Sequence, residues 1–332
     1  MADLRTSYMG LQLKNPVVPS ASPLSREVSG VKALEDAGAP AVVLYSLFQE
    51  QVSLETGELP DRLFSGALGI ADATSHFPQR QEYKRGPDEY VEHVRRVKES
   101  VGIPVIASMN GTSKGGWLEY AKRIEQAGAD GLELNIYFIP TTDTLMSMDV
   151  ETVYSDILRA VKKMVSIPVA VKLSPFFSAI PYVATQLDQD GADALVLFNR
   201  FYQPDIDVAT QQIRASLTLS RPEDILLPLR WVAILHGQVD CSLALTSGVH
   251  SADDVLKSVL AGANVANVCS VLLKDGVARL STILADLERR MDELGLESID
   301  ATRGCLSLQK HVEPAVFERV SYIKLLQSFG RI

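Results

Sequence analysis

Lys172 stands near the end of the apolar run "VSIPVAVKLS", and amides end two similar runs, Asn135 in "LELNIYFIP" and Asn199 in "LVLFN". Burying an ammonium without a partner is costly, so a lysine in such a run points to function rather than packing. Two chemistries use it, a fixed positive charge or a Schiff-base amine. The stretches "TSGVHSADDV" and "NVCSVLLKDG" close two further runs with small residues just before helical patterns. Backbone N–H groups in such turns, aided by helix N-termini, form a phosphate cradle. No G-x-G-x-x-G follows a strand and no Walker A sequence occurs, so neither a Rossmann site nor a nucleoside triphosphate site is indicated.

The elements that position these residues announce themselves by repetition. "DAGAPAVVLYS" from Asp36, "QAGADGLELN" from Gln126, "QDGADALVLFN" from Gln189 and "LAGANVANVCS" from Leu260 each end an amphipathic helix, turn on a glycine and enter an apolar strand. "VGIPVIASMN" and "VSIPVAVKLS" add two strands too apolar to be half exposed. With "NPVVPSAS" and "CSLALTSGV" the strands number eight, near 15–20, 41–46, 104–109, 131–136, 168–173, 193–198, 242–247 and 264–270. Eight strands alternating with helices predict a (β/α)₈ TIM barrel of the α/β class. The chain reads as a single domain over 1–332, with the barrel over about 15–295 and a helical extension over about 297–332. Long connections after the second and sixth strands are placed to cover an active site at the C-terminal mouth. That mouth should gather Ser20, Ala21, Ser46, Asn110, Asn135, Lys172, Asn199, Ser247, Gly248, Cys269 and Ser270.

Composition narrows the function classes. The chain has 332 residues, 46% hydrophobic, with a formal charge of -9. That field repels nucleic acid and anionic membranes. The N-terminus has no apolar signal core and no run of about 18 uncharged apolar residues occurs, which predicts a soluble cytoplasmic protein. Cys241, Cys269 and Cys305 are far apart, and His236, His250 and His311 lack metal-ligand spacing, so no metal site is expected. Cys269 reads as a small filler near the phosphate turns, Cys241 and Cys305 as buried thiols, and Trp117 and Trp231 as helix-packing residues.

The order "NPVVPSAS", "ELN" with a loop, "VAVKLSP", "LVLFN", "LTSGV" with "SADDVLKSVLAGA", and "VCSVLLKDG" resembles the dihydroorotate dehydrogenases, especially their soluble class 1, over about residues 5–295. The resemblance implies FMN in the barrel mouth and oxidation of dihydroorotate to orotate, a step of pyrimidine biosynthesis. It sets Lys172 against the pyrimidine end of the isoalloxazine, Ser20, Ala21 and Ser46 along the ring, and Asn135 and Asn199 on flavin or substrate. Ser247, Gly248, Cys269 and Ser270 fall on the phosphate. Ser247 replaces a family glycine, which is tolerable if its φ stays negative.

The substrate half departs from that pattern. The family reads Asn-Leu-Ser-Cys-Pro-Asn after the fourth strand, with cysteine or serine as base, where this chain has Asn135, Ile136, Tyr137, Phe138, Ile139, Pro140. The base position is Phe138, which accepts no proton, and the family lysine after the second strand aligns with Tyr45. Tyr137, Tyr45 and His76 are the candidate substitutes. The resemblance thus implies an FMN oxidoreductase with an altered pocket for a small, dihydroorotate-like molecule, as a homodimer or with an electron-transfer subunit. The alternatives are a catalytically silent flavin-binding homologue or scaffold, and an aldolase using Lys172 as Schiff-base amine, against which the surrounding asparagines argue.

Overall fold

A computed structural model describes residues 2–56, 86–112, 115, 118–200, 203–214, 218–311, 313, 317, 322, 326 and 327. The strands are β1 Thr6–Tyr8, β2 Leu11–Leu13, β3 Val17–Pro19, β4 Val42–Phe48, β5 Val105–Asn110, β6 Gly131–Asn135, β7 Val169–Leu173, β8 Ala194–Leu197, β9 Asp205–Asp207, β10 Gln212–Arg214, β11 Ser242–Thr246 and β12 Val265–Val268. The helices are α1 Val28–Asp36, α2 Gln49–Thr56, α3 Pro87–Ser100, α4 Glu119–Gln126, α5 Ser147–Lys162, α6 Ile180–Gln189, α7 Leu226–Leu235, α8 Ala252–Ala261, α9 Ser270–Asp275, α10 Arg279–Glu293 and α11 Ile299–Thr302. Eight parallel strands run β3-β12-β11-β8-β7-β6-β5-β4, a nearly closed barrel with helices outside. Every predicted barrel strand lies within a few residues of its expected place.

The glycine joints have a second component. Two residues after Gly128, Asp130 Oδ2 accepts from Val105 N of β5 at 2.7 Å and pairs with Lys98 of α3 at 2.7 Å. Asp193, two residues after Gly191, accepts from Val169 N of β7 and pairs with Lys162 of α5, both at 2.7 Å. Asn264, two after Gly262, accepts from Leu243 N at 2.9 Å and donates to Ser7 O at 2.8 Å. Each joint thus pins the start of its own strand to the neighbouring strand, and twice to the preceding helix. Asp193→Ala would leave the Val169 N–H without that acceptor and is expected to cost about 1.5–3 kcal/mol. Urea denaturation should show a lowered midpoint at an unchanged m-value.

The barrel floor is closed by a feature too short to leave a periodic signal. β1 and β2 form a hairpin that turns on Met9 and Gly10, at φ 53 and 75. Tyr8, Met9 and Leu13 pack inside the barrel against Val18, Val43, Ile106 and the small side chains of Ala41, Ala170, Ala194 and Ala244. A Cβ on Gly131 would lie 3.1 Å from Met9 Cε, so the small residues make room for the plug.

On the outer face of the strands, Tyr90, Val91, Val94 and Val97 recur at helical spacing on α3 and are buried. The Tyr90 hydroxyl donates to Ser108 O at 3.0 Å and accepts from Ser108 N at 2.9 Å, clamping α3 to β5. Trp231 packs partly buried on the core, whereas Trp117 lies outside the described residues. Among the described residues no helix is long and apolar enough to cross a membrane.

Candidate active site

Ten of the eleven residues expected at the mouth line one cavity of about 260 Å³: Ser20, Ala21, Ser46, Asn135, Lys172, Asn199, Ser247, Gly248, Cys269 and Ser270. The eleventh, Asn110, is buried at the end of β5 beside Asn135 in register and does not line it. Backbone bonds fix the rim, Ser20 N to Val268 O at 2.9 Å and Asn199 N to Leu173 O at 2.7 Å. The Asn199 amide donates to Asn135 Oδ1, so two strand ends share one amide pair. Ser46 and Ser108 bond through their hydroxyls at 2.8 Å.

Below the rim lies a polar layer that motif reasoning missed. Glu133, one pleat deeper than Asn135 on β6, is 1% exposed, and its Oε1 lies 3.6 Å from Lys172 Nζ. Asn267 of β12 lines the cavity, is 2% exposed, and neither of its side-chain polar atoms has a hydrogen-bond partner. Period-2 alternation back from Asn135 reaches Glu133, and a polar residue inside "VANV" is the corresponding signal for Asn267. Buried amides without partners are rare in folded proteins, so Asn267 marks a place for a polar ligand atom or water.

The turn after β11 differs from expectation. Ser247 has φ 80 and Gly248 φ 77, so the serine occupies the left-handed region rather than staying at negative φ. Two consecutive left-handed residues turn the chain so that Gly248 N donates to Ser220 Oγ at 3.3 Å. Ser220 also binds Ser270 Oγ through its N–H at 2.9 Å and through its hydroxyl at 2.8 Å. The segment carrying Ser220 is held by Arg200, which donates to Thr218 O at 3.0 Å and to Asp224 Oδ2 at 2.9 Å. Burial raises the Asp224 carboxyl, but the Arg221 N–H and Arg200 outweigh it and hold the group below the usual carboxylate range.

The start of α8 is occupied by its own capping box, with Asp254 Oδ2 accepting from His250 N and Ser251 N at 3.1 and 3.0 Å, and α9 is six residues long. Gly248 N, Ser220 and Ser270 thus form one hydrogen-bonded cluster at the mouth.

A family model for dihydroorotate dehydrogenase matches residues 3–291. The chain belongs to the dihydroorotate dehydrogenase family. It is similar to proteins named dihydroorotate dehydrogenase B (NAD(+)), catalytic subunit. That of Halalkalibacterium halodurans is 28% identical over 306 residues, covering 90% of this chain and 96% of the relative. That of Thermoplasma acidophilum is 26% identical over 311 residues, covering 90% and 97%. That of Geobacillus kaustophilus is 28% identical over 315 residues, covering 92% and 96%.

Within this dihydroorotate dehydrogenase fold the candidate proton acceptors do not converge on the cavity. Phe138 is buried and lines a second, mostly apolar cavity of about 510 Å³ with Pro140, Tyr154 and Phe177. The Tyr45 ring faces outward, edge-on to Tyr90 at 5.1 Å and against His93 at 5.4 Å. The cause is a register shift in β4 between Val43 and Ser46, which turns Ser46 inward. Tyr137 lines neither cavity, and His76 lies outside the described residues.

Among the cysteines, Cys269 lines the cavity, and burial pushes its thiol up against the opposing pull of Lys172. Burial likewise raises Cys241. Cys305, expected to be buried, is exposed, because it follows α11 in a turn outside the barrel wall. No cluster that could hold a metal ion occurs among the described residues.

Proposed function

We propose that this chain is an FMN-dependent oxidoreductase with a modified substrate half, acting on a small molecule other than dihydroorotate or only slowly on dihydroorotate. The observation that carries the reading is the buried Lys172 ammonium, which lines the same cavity as the unpartnered amide of Asn267. Those groups fit a flat, polar heterocycle that gains negative charge. FMN, when bound, supplies a two-electron acceptor that takes a hydride from a reduced substrate.

The protein's part is placement and charge. Lys172 presents a positive charge at a strand end, where low polarity strengthens its effect. The Asn135 and Asn199 amides orient ring or substrate, and the Ser270 hydroxyl, held by the Ser220 N–H and hydroxyl beside Gly248, offers a donor for phosphate oxygens. On the substrate side Phe138 cannot move a proton, and loss of a general base lowers rates by about 10²–10⁴. We further propose a cytoplasmic protein that pairs with a second copy or with an electron-transfer subunit, a reading supported by the "catalytic subunit" in its relatives' names.

The test is an absorption spectrum of the purified protein, followed by anaerobic addition of dihydroorotate. A flavin spectrum that stays oxidised for many minutes is the expected result. Rapid bleaching would overturn the modified substrate half, and failure to bind supplied FMN would overturn the cofactor assignment.

A further inference from the structure

We infer that Glu133 is a positioning residue for Lys172 and sets how far the lysine's charge favours the reduced over the oxidised cofactor. The inference rests on the FMN reading for its second half only. Lys172 is level with Asn135 in the β6–β7 register, while Glu133 is level with Ala170, one pleat nearer the barrel floor. The lysine side chain therefore reaches back toward the floor to lie 3.6 Å from Glu133 Oε1.

Both groups are removed from water, with side chains 9% and 1% exposed, so neither charge is screened as a surface pair would be. Glu133 Oε1 has no hydrogen-bond partner, which leaves the ion pair with Lys172 as its compensation. Lys98 and Lys162, by contrast, are paired with Asp130 and Asp193. A carboxylate so placed does two things. It draws the ammonium to one position, and it offsets part of the positive potential that Lys172 casts into the cavity.

The consequence is a redox effect with a definite sign. Glu133→Gln keeps the side chain's shape and removes its charge, so the Lys172 field is less opposed. The midpoint potential of the bound flavin is expected to rise by about 30 mV, the equivalent of a tenfold gain in preference for the reduced form in a two-electron couple. The same substitution in a Lys172→Met background should shift the potential less. An equal shift in both backgrounds would mean that Glu133 acts on the cofactor directly, and no shift in either would mean that it is structural; each overturns the inference.

The first half is tested without cofactor, by a urea-denaturation cycle of Glu133→Gln, Lys172→Met and the double variant on the apoprotein. Coupling is expected, with the double variant less destabilised than the two single effects would predict together. Additive effects would overturn the positioning role. A wild-type chain that binds no flavin would overturn the cofactor reading, and the apoprotein cycle would still decide whether Glu133 holds Lys172. If Glu133→Gln does not fold, Glu133→Met, apolar and of similar length, carries the same expectation in both assays.

Discussion

Lys172→Met is expected to slow anaerobic reduction of the FMN-loaded protein by excess dihydroorotate, already slow, by a further factor of about 10²–10³. The lysine is buried, and its Nζ has a single ion-pair partner among the described residues. Its removal takes away the buried cation of the cavity lining, leaving Arg200, which is paired with Asp224. Methionine keeps much of the stem's packing, so the loss reports charge rather than volume. A stability effect accompanies it, since Glu133 is left as an unpaired buried carboxylate, a situation that costs about 3–5 kcal/mol. Anaerobic flavin absorbance followed over hours to days, together with urea denaturation, separates the two effects. Lys172→Arg should recover stability better than rate, because the planar guanidinium keeps the charge but cannot take the ammonium's position. Reduction of Lys172→Met at the wild-type rate would remove the electrostatic role.

What the sequence could and could not show follows from the range of the interactions involved. Six of the barrel strands were legible because each is marked locally by a glycine joint or a proline entry next to a run buried on both faces. Strand ends in such a barrel converge, so naming the ends was nearly enough to assemble the cavity lining. Glu133 and Asn267 escaped because their meaning depends on inward direction one pleat below the mouth, not on any motif. Ser220 escaped because it lies 28 residues before Gly248 in a long connection, and only the folded path of that segment brings the two together. Tyr45 misled because a register shift in β4 reverses which residues face inward, and such shifts leave no regular trace in composition. The β1–β2 and β9–β10 hairpins, with three residues per strand, are too short to show alternation.

Gly248→Ala is expected to be the most damaging single methyl addition at the mouth. A Cβ there would stand 2.2 Å from Ile225 N, 2.8 Å from Ile225 Cα and 2.9 Å from Asp224 C, all backbone atoms that no rotamer change can move. The position also has φ 77, which L-residues adopt at a cost. Left-handed backbone and overpacking together are worth about 2–5 kcal/mol. Gly276→Ala tests backbone conformation without crowding, because Gly276, at φ 86 and ψ 164 in a region essentially confined to glycine, has nothing within 4 Å of the added atom, so it should lose about 1–3 kcal/mol. Ser247→Gly, one residue away, should instead gain about 1 kcal/mol by relieving a serine held at φ 80. The functional readout follows the geometry. Pushing Asp224 and Ile225 away from Gly248 also moves Ser220, four residues before Asp224 and tied to it through the Arg221 and Arg200 contacts. Gly248→Ala should therefore weaken FMN binding in a fluorescence titration, whereas Gly276→Ala should not. Equal destabilisation of the two alanine variants would mean that the 218–225 segment does not rest on Gly248, and the cradle of Gly248, Ser220 and Ser270 would have to be abandoned as the phosphate site.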